Sequence, residues 1–396
     1  MAVVTVDVER RTRRARIAVS AMFLTNGAIF ANLVPRFPEL KTELALSNTT
    51  YGVVVAAFPV GALVAGLTAG AVIRRLTSAR TAVLCTVGIA LLVFAAGLAT
   101  TPMLLAVLLF GGGACDAVTD VAQNTHGLRV QRAYGRSIIN SLHAVWSVGA
   151  VLGAGMAAGA IALGIPIGVH LGVSAAVFIG VALAAYPFLL TGRDQPDDPA
   201  ADDGTAGRAG WRVYGALLLL VLIAIGGAVI EDAGSSWAAL YLGGLGAPGA
   251  IAALGYVGLL GAQVIGRVSG DRMVDRFGVR AVARGGGLLV AAGMGLALAV
   301  PTVPGTIAGF AAAGIGAATS IPAAMHAADR LPGLRAGAGL TALAWLMRLG
   351  FVGAPPLVGI VSDATSLRIG LLIVPVAGLA IAAAAGVLSG RRQPAR

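Results

Sequence analysis

Charge is what this sequence has least of. Asp, Glu, Lys and Arg together supply 11% of its 396 residues, where a soluble protein carries about 25%. That shortage excludes a water-covered globule of this length. Cysteine is nearly missing too. Cys85 and Cys115 are the two instances, so no disulfide framework is implied, and both read as small packing residues within apolar runs. There is no H-E-x-x-H helix and no P-loop, which removes the sequence support for a zincin or an ATP-driven pump. No cofactor is expected, nor a metal site.

What is present is apolar: 58% of residues are hydrophobic and 57 are glycine. A helix needs about 20 residues to cross about 30 Å of hydrocarbon. The long, non-alternating runs favour helices, which satisfy every backbone group internally. Six runs lie at about 17–38, 48–73, 79–100, 102–127, 136–161 and 167–190. Six more lie at about 212–242, 248–270, 279–300, 303–328, 336–361 and 367–389. The expected fold is an all-α membrane protein of twelve transmembrane helices. Residues 1–190 form one six-helix bundle and 212–396 the other, joined by 191–211. That joint holds Asp194, Asp197, Asp198, Asp202, Asp203, Pro196 and Pro199, cannot build a core, and reads as a linker. The first run continues into eleven more and is not a cleaved signal peptide.

Arginine placement gives the orientation. The N-terminus, alternate loops and C-terminus hold 24 of the 28 Lys and Arg. The opposite loops hold Arg36, Lys41 and Arg368, while Arg348 falls inside a helix. The positive-inside rule then puts both termini in the cytoplasm of a bacterial inner-membrane protein. The net charge of +11 reports topology and anionic lipid rather than nucleic acid. The expected partners are the bilayer, a small molecule and protons, and the chain is expected to act as a monomer.

The halves repeat at an offset near 200. Gly61, Gly66 and Gly70 recur as Gly261, Gly266 and Gly270, His126 as His326, and Trp146 one residue out of step as Trp345. Duplication explains these matches together with the equal segment count. Two parallel six-helix repeats around a linker is the architecture of major facilitator transporters. Gly66/Gly70, Gly149/Gly153, Gly155/Gly159 and Gly266/Gly270 are G-x-x-x-G pairs, read first as helix packing.

Ionisable residues inside helices are costly and face a cavity or a partner. Asp116, Asp120 and Asn124 recur at i, i+4 and i+8 on one stripe of the fourth helix. Glu231 and Asp232 lie within the seventh. Arg348 is the one cation expected against these four acids, with Glu231 its favoured partner. Four carboxylates and one guanidinium cannot all be charged in low dielectric, so at least one acid is expected to hold a proton. A structural ion pair accounts for only one of them.

Other residues resemble a known family. Asn26-Gly27 through Lys41, Asp120-x-x-x-Asn124, Gly135-Arg136, Asn140, His143, Trp146, Ser147 and Gly149, and then Glu231, Trp237 and Tyr241, are similar to the fucose-permease-like branch of the major facilitator superfamily. The resemblance implies that Asp120 handles substrate and protons and that Asn140 contacts substrate. The branch's first-helix acid falls on Ala31 here, and Glu231 stands at matching depth in the other half. The superfamily's G-x-x-x-D-R-x-G loop is reduced to Gly70, Arg74, Arg75 and Thr77. Its second-half relative keeps Asp271, Asp275, Arg276, Gly278 and Arg280. By resemblance these residues form a gate of cross-bundle charge pairs; a charged loop that is only solvated is the alternative reading. Helix five has Gly153-Ala154 where drug antiporters have Gly-Pro.

The resulting expectation is a secondary active transporter for a small polar, sugar-like solute, proton-coupled and working by alternating access. Protons are assigned to Asp120, Glu231, Asp116 and Asp232. The solute is assigned to Asn26, Asn32, Asn124, Asn140, His143, Trp146, Trp237, Ser320, Trp345 and Arg348, whose indoles offer flat apolar faces beside polar groups. Trp211 reads as an interfacial anchor. A proton-driven exporter of a metabolite or drug is the alternative. A membrane prenyltransferase, with Asp116/Asp120 and Asp271/Asp275 holding diphosphate through Mg²⁺, is remote because two repeats of six helices do not suit it.

Overall fold

The computed structural model describes residues 2–192, Asp194, 210–335 and 337–388. Most of the 191–211 joint, including its acids from Asp197 to Asp203, lies outside the described residues. All regular structure among the described residues is helical, and twelve segments are long and apolar enough to cross a membrane. In order they are α1 (Arg10–Glu43), α2 (Asn48–Gly66), α3 (Ser78–Ala96), α4 (Pro102–Tyr134), α5 (Ile139–Ala162) and α6 (Ile167–Phe188). The second set is α7 (Trp211–Gly244), α8 (Gly249–Phe277), α9 (Val279–Ala299), α10 (Val303–Asp329), α11 (Ala338–Ala364) and α12 (Leu367–Leu388).

Start and stop chemistry sets these ends. Thr101 and Thr302 cap α4 and α10, each accepting a backbone N–H two or three residues on. Pro102 follows at the first helical position. Gly135, at φ 70°, terminates α4. Pro35 and Pro38 break α1 into a helix ending at Leu33, a 3₁₀ turn and a short helix over Phe37–Glu43.

Two differences from the apolar runs matter. The α4 helix continues to Tyr134 and α8 to Phe277, each well beyond its apolar stretch. Asp271, Arg272, Asp275 and Arg276 therefore sit on a helix and not in a loop. Propagating a formed helix is cheap, so the helix outlasts the hydrocarbon-compatible sequence.

The described chain forms two compact units. One comprises residues up to Leu46 with Val54–Asp197, the other Ser47–Val53 with Asp198 onward. In the first, α1 lies along α5 and α3 along α4. Glycines allow the first contact: a Cβ at Gly27 would strike the Trp146 carbonyl, and Cβ atoms at Gly149 and Gly153 those of Leu24 and Ala28. Of the other pairs, Gly266 and Gly270 pack on Ala318 and Thr319. Cβ atoms at Gly155 and Gly159 would meet nothing within 4 Å, so that pair joins no described helices. In the second unit α9 packs on α10 and α12, α8 on α10, and α7 on α11.

The repeat shows in the backbone. Thr77, between the short helix Ala69–Leu76 and α3, has φ 80° and ψ 154°. Gly278, between α8 and α9, has φ 81° and ψ 149°. One turn serves both halves, and in the first a threonine occupies a region nearly reserved for glycine.

Candidate functional site

Each unit carries its own polar group. In the first, helical spacing aligns Asp120 and Asn124, and α5 brings His143 across to them. The Asn124 amide donates to Asp120 Oδ1 at 3.0 Å and to the Asp120 carbonyl at 2.9 Å. The His143 ring nitrogen Nε2 lies 3.0 Å from Asn124 Oδ1. An amide oxygen only accepts, so Nε2 carries the proton and the chain runs His143 to Asn124 to Asp120. Phe23 meets the His143 ring edge-on, with centroids 5.5 Å apart. Asp120 and His143 are exposed and Asn124 half-buried. Asp116 lies one turn back, half-buried. The Trp146 indole donates to buried Asn26 at 3.4 Å. Asn140 is exposed one turn before His143 on α5.

Asn32 is elsewhere. It is 1% exposed, accepts from His170 Nε2 at 2.7 Å and Ser174 at 3.4 Å, and donates to the Ala28 carbonyl at 3.3 Å. Its capacity is spent holding α1 to α6, and the structure does not join it to Asp120. Arg36, expected in an exposed loop, is 2% exposed, pairing with Glu39 at 2.6 Å and the Ile165 carbonyl at 2.7 Å.

The second unit centres on α7. Gln263 of α8 donates to Glu231 Oε2 at 3.0 Å, and Arg267, one turn further, stands 4.0 Å from the same oxygen. Arg267 rather than Arg348 is therefore the cation beside Glu231, and Arg348 has no ion pair among the described residues of its unit. The apolar run 248–270 includes Arg267, but the charge count set it with the loop that follows. The i, i+4 spacing of Gln263 and Arg267 was the missed signal.

Asp232 is buried. Ser236 donates to its Oδ1 at 3.3 Å, and its Oδ2 has no partner among the described residues. Trp237 is fully buried, meets Tyr51 edge-on at 4.9 Å, and its indole N–H has no partner among the described residues. Tyr51 donates to the Ser236 carbonyl at 2.6 Å. Ser320 is buried and its hydroxyl has no partner among the described residues, and Trp345 and Arg348 lie one turn apart on α11, exposed and half-buried. Trp211 is 79% exposed, as an interfacial anchor would be.

The expected gate residues Arg74, Arg75, Asp271, Asp275, Arg276 and Arg280 are all exposed. Within their own units, none makes an ion pair among the described residues. Instead, Asp194 closes the start of α3. It accepts the Ser78 N–H and hydroxyl, both at 2.6 Å, and pairs with Arg129 at 3.4 Å.

His126 lies 3.0 Å from Ser78 Oγ through Nδ1, and its Nε2 accepts the Leu190 N–H at 3.2 Å. Nε2 is thus the acceptor and Nδ1 the donor, so the serine proton points to Asp194. That polarity is the reverse of a nucleophilic triad, and the cluster is a helix anchor. His326, its repeat partner in sequence, is exposed. Cys85 and Cys115 are also more than separate packing residues, because their side chains stand close enough across α3 and α4 to interact.

The comparisons agree with this architecture. Residues 19–274 match the family model of the Major Facilitator Superfamily. An uncharacterized transporter of Sinorhizobium fredii, y4wD, is 32% identical, the match covering 93% of this chain and 97% of that one. Among solved structures, the nucleoside transporter NupG (D323A mutant) aligns with a TM-score of 0.71 at 14% identity, over 94% of this chain and 99% of that one. The fucose:proton symporter of E. coli, FucP (N162A), aligns at 0.61 and 17%, over 95% and 98%. These structures share the fold. Relatives and family alike are transporters, which sets aside the diphosphate-binding enzyme. The chain is a multi-pass membrane transporter and belongs to the Major Facilitator Superfamily.

Proposed function

We propose that this transporter couples uptake of a small polar organic solute, sugar-like in its hydroxyl pattern, to proton entry across the bacterial inner membrane. One observation carries the proposal: the His143–Asn124–Asp120 chain. With Asp120 ionised, the Asn124 amide donates to it and the Asn124 carbonyl accepts from His143. A proton on Asp120 Oδ1 turns that acceptor into a donor; the Asn124 amide then flips, giving its carbonyl to Asp120 and its N–H to a His143 Nε2 whose proton has moved to Nδ1. The protonation state of one acid thereby rewrites which groups an incoming hydroxyl meets at an exposed imidazole. A ligand with differential affinity for the two arrangements couples the fluxes. FucP, named as a fucose:proton symporter, supports this reading by fold. Asp116, Asp232 and Glu231 are further carriers under the proposal, and Arg348, Trp345, Trp237, Trp146, Asn26 and Asn140 serve the solute. Proton-driven export stays the alternative direction. The reading includes cytoplasmic termini, a working monomer, and bundles of 1–190 and 212–396 rocking about the 191–211 linker.

Counterflow in proteoliposomes over a panel of monosaccharides and nucleosides identifies the solute. With it, Asp120→Asn abolishes accumulation driven by a pH gradient and spares exchange, which needs no net proton release. Parental accumulation by D120N refutes Asp120 as the carrier.

A further inference from the structure

A crevice of about 340 Å³ opens in the second unit between α8, α9 and α10, a volume within the range of small-molecule sites, about 300–1,000 Å³. Its lining includes none of the polar groups described above, although two of the expected gate residues, Arg276 and Arg280, lie at its mouth. Glycines make its floor: Gly286 and Gly316 meet backbone to backbone, each occupying the space a Cβ on the other would need. At Gly285 an added Cβ would touch nothing within 4 Å, so that side is open. Phe277 and Leu289 form an apolar rim, 60% and 40% exposed.

The mouth adjoins the Gly278 turn, where α8 gives way to α9 in an arginine-rich stretch. Arg276 stacks over the Phe277 ring at 5.3 Å. Arg272, Arg280 and Arg284 are exposed along the same stretch, against two acids, Asp271 and Asp275. An apolar slot under a cationic rim has the chemistry of one ligand, an acyl chain carrying an anionic headgroup. The acids of the linker supply the charge but, from Gln195 to Gly207, no large apolar side chain to fill the slot.

We propose that this crevice binds an anionic phospholipid, its acyl chain along Gly285 and Gly316 and its phosphate on Arg276 and Arg280. Delipidated protein in detergent is to be titrated with phosphatidylglycerol, phosphatidylcholine or inorganic phosphate, and binding read by native mass spectrometry and thermal shift. Phosphatidylglycerol is retained and raises the melting temperature, and the other two do neither. Gly285→Phe fills the slot without a backbone clash and removes retention. The R276Q/R280Q pair, both at exposed sites, weakens it about 30-fold, from about fivefold per arginine, and R276K/R280K restores most of it. Equal retention of the two lipids by the parent overturns the proposal, as does undiminished retention in R276Q/R280Q. So does a dependence on neutralising the four linker acids Asp197, Asp198, Asp202 and Asp203 but not on Gly285, which would assign the arginines to the linker.

Discussion

Thr77 is held where threonine does not belong, and releasing it should stabilise the protein. Its φ of 80° and ψ of 154° fall in a region that side chains avoid at a cost of about 1–3 kcal/mol. Thr77→Gly removes that strain and adds about 0.5–1 kcal/mol of unfolded-state entropy. The net gain is about 0.5–2 kcal/mol. For a unit near 190 residues, about 2–4 °C per kcal/mol, this is a melting-temperature rise on the order of 1–8 °C. The strain persists because the next residue is clamped: the Ser78 N–H and hydroxyl both end on Asp194 at 2.6 Å.

The control is the mirror substitution. Gly278→Thr places the same side chain in the same conformation of the other half, φ 81° and ψ 149°, and should lose about 1–3 kcal/mol. Both are read by thermal unfolding in one detergent, with Thr77→Ala to separate side-chain size from backbone freedom. Alanine should gain little, since any Cβ is disfavoured there. A T77G protein that melts at or below the parent temperature refutes the reasoning, because the turn would then be relaxed as it stands.

The Asp194 clamp gives a coupled expectation: Asp194→Ala costs about 2–3 kcal/mol in the parent, from a charged acceptor lost to two buried donors, and measurably less in a T77G background, where no strain needs holding; equal costs in a double-mutant cycle break the link. Arg348→Met should melt within about 0.5 kcal/mol of the parent, since no ion pair is lost within its unit, and a loss of 3 kcal/mol or more would mean a carboxylate depends on it. Copper-phenanthroline should join Cys85 to Cys115, seen as loss of two hydrogens in the intact mass and of maleimide labelling after denaturation; a mass unchanged after oxidation separates the thiols. Single cysteines at Asp198 and Lys41, in a background without Cys85 and Cys115, should label from inside and outside respectively, and labelling of position 198 in intact cells reverses the orientation.

The membrane helices were readable because hydrocarbon thickness imposes a length and a composition that few other folds share. Where the sequence misled, the cause was reading helix ends from apolar runs. Asp271, Asp275 and Arg276 belong to α8 because hydrogen bonding carries the helix past the last apolar residue, and with Arg267 counted among the loop charges although the run 248–270 includes it, Arg348 seemed the natural partner for Glu231. The Asp120–Asn124 part of the first polar group was legible from i, i+4 spacing, but its contact with His143 depends on how α4 and α5 meet, which no local pattern encodes. The Cys85–Cys115 contact depends likewise on the α3–α4 register, hinted at only by Gly88, whose added Cβ would sit 3.1 Å from Cys115 Sγ. The repeat was visible as matching glycines and histidines, yet His126 is bonded and buried while His326 is exposed. Duplication preserved the backbone turn more faithfully than the environment of the side chains.

The Asp194 anchor also bears on how the protein is made. Ser78 and Asp194 are 116 positions apart, so the start of α3 stays uncapped while α4, α5 and α6 are synthesised. At about 5–20 residues per second that interval lasts roughly 6–20 seconds, long against helix formation itself. During it the Ser78 N–H and the strained Thr77 turn have only water or lipid headgroups to meet. The first unit reaches its final bonding only when residue 194 leaves the ribosome, just as the second unit's first helix is about to emerge. Translation order thus fixes one half before the other begins, and a pause placed near that joint would favour the native pairing of α3 with α4.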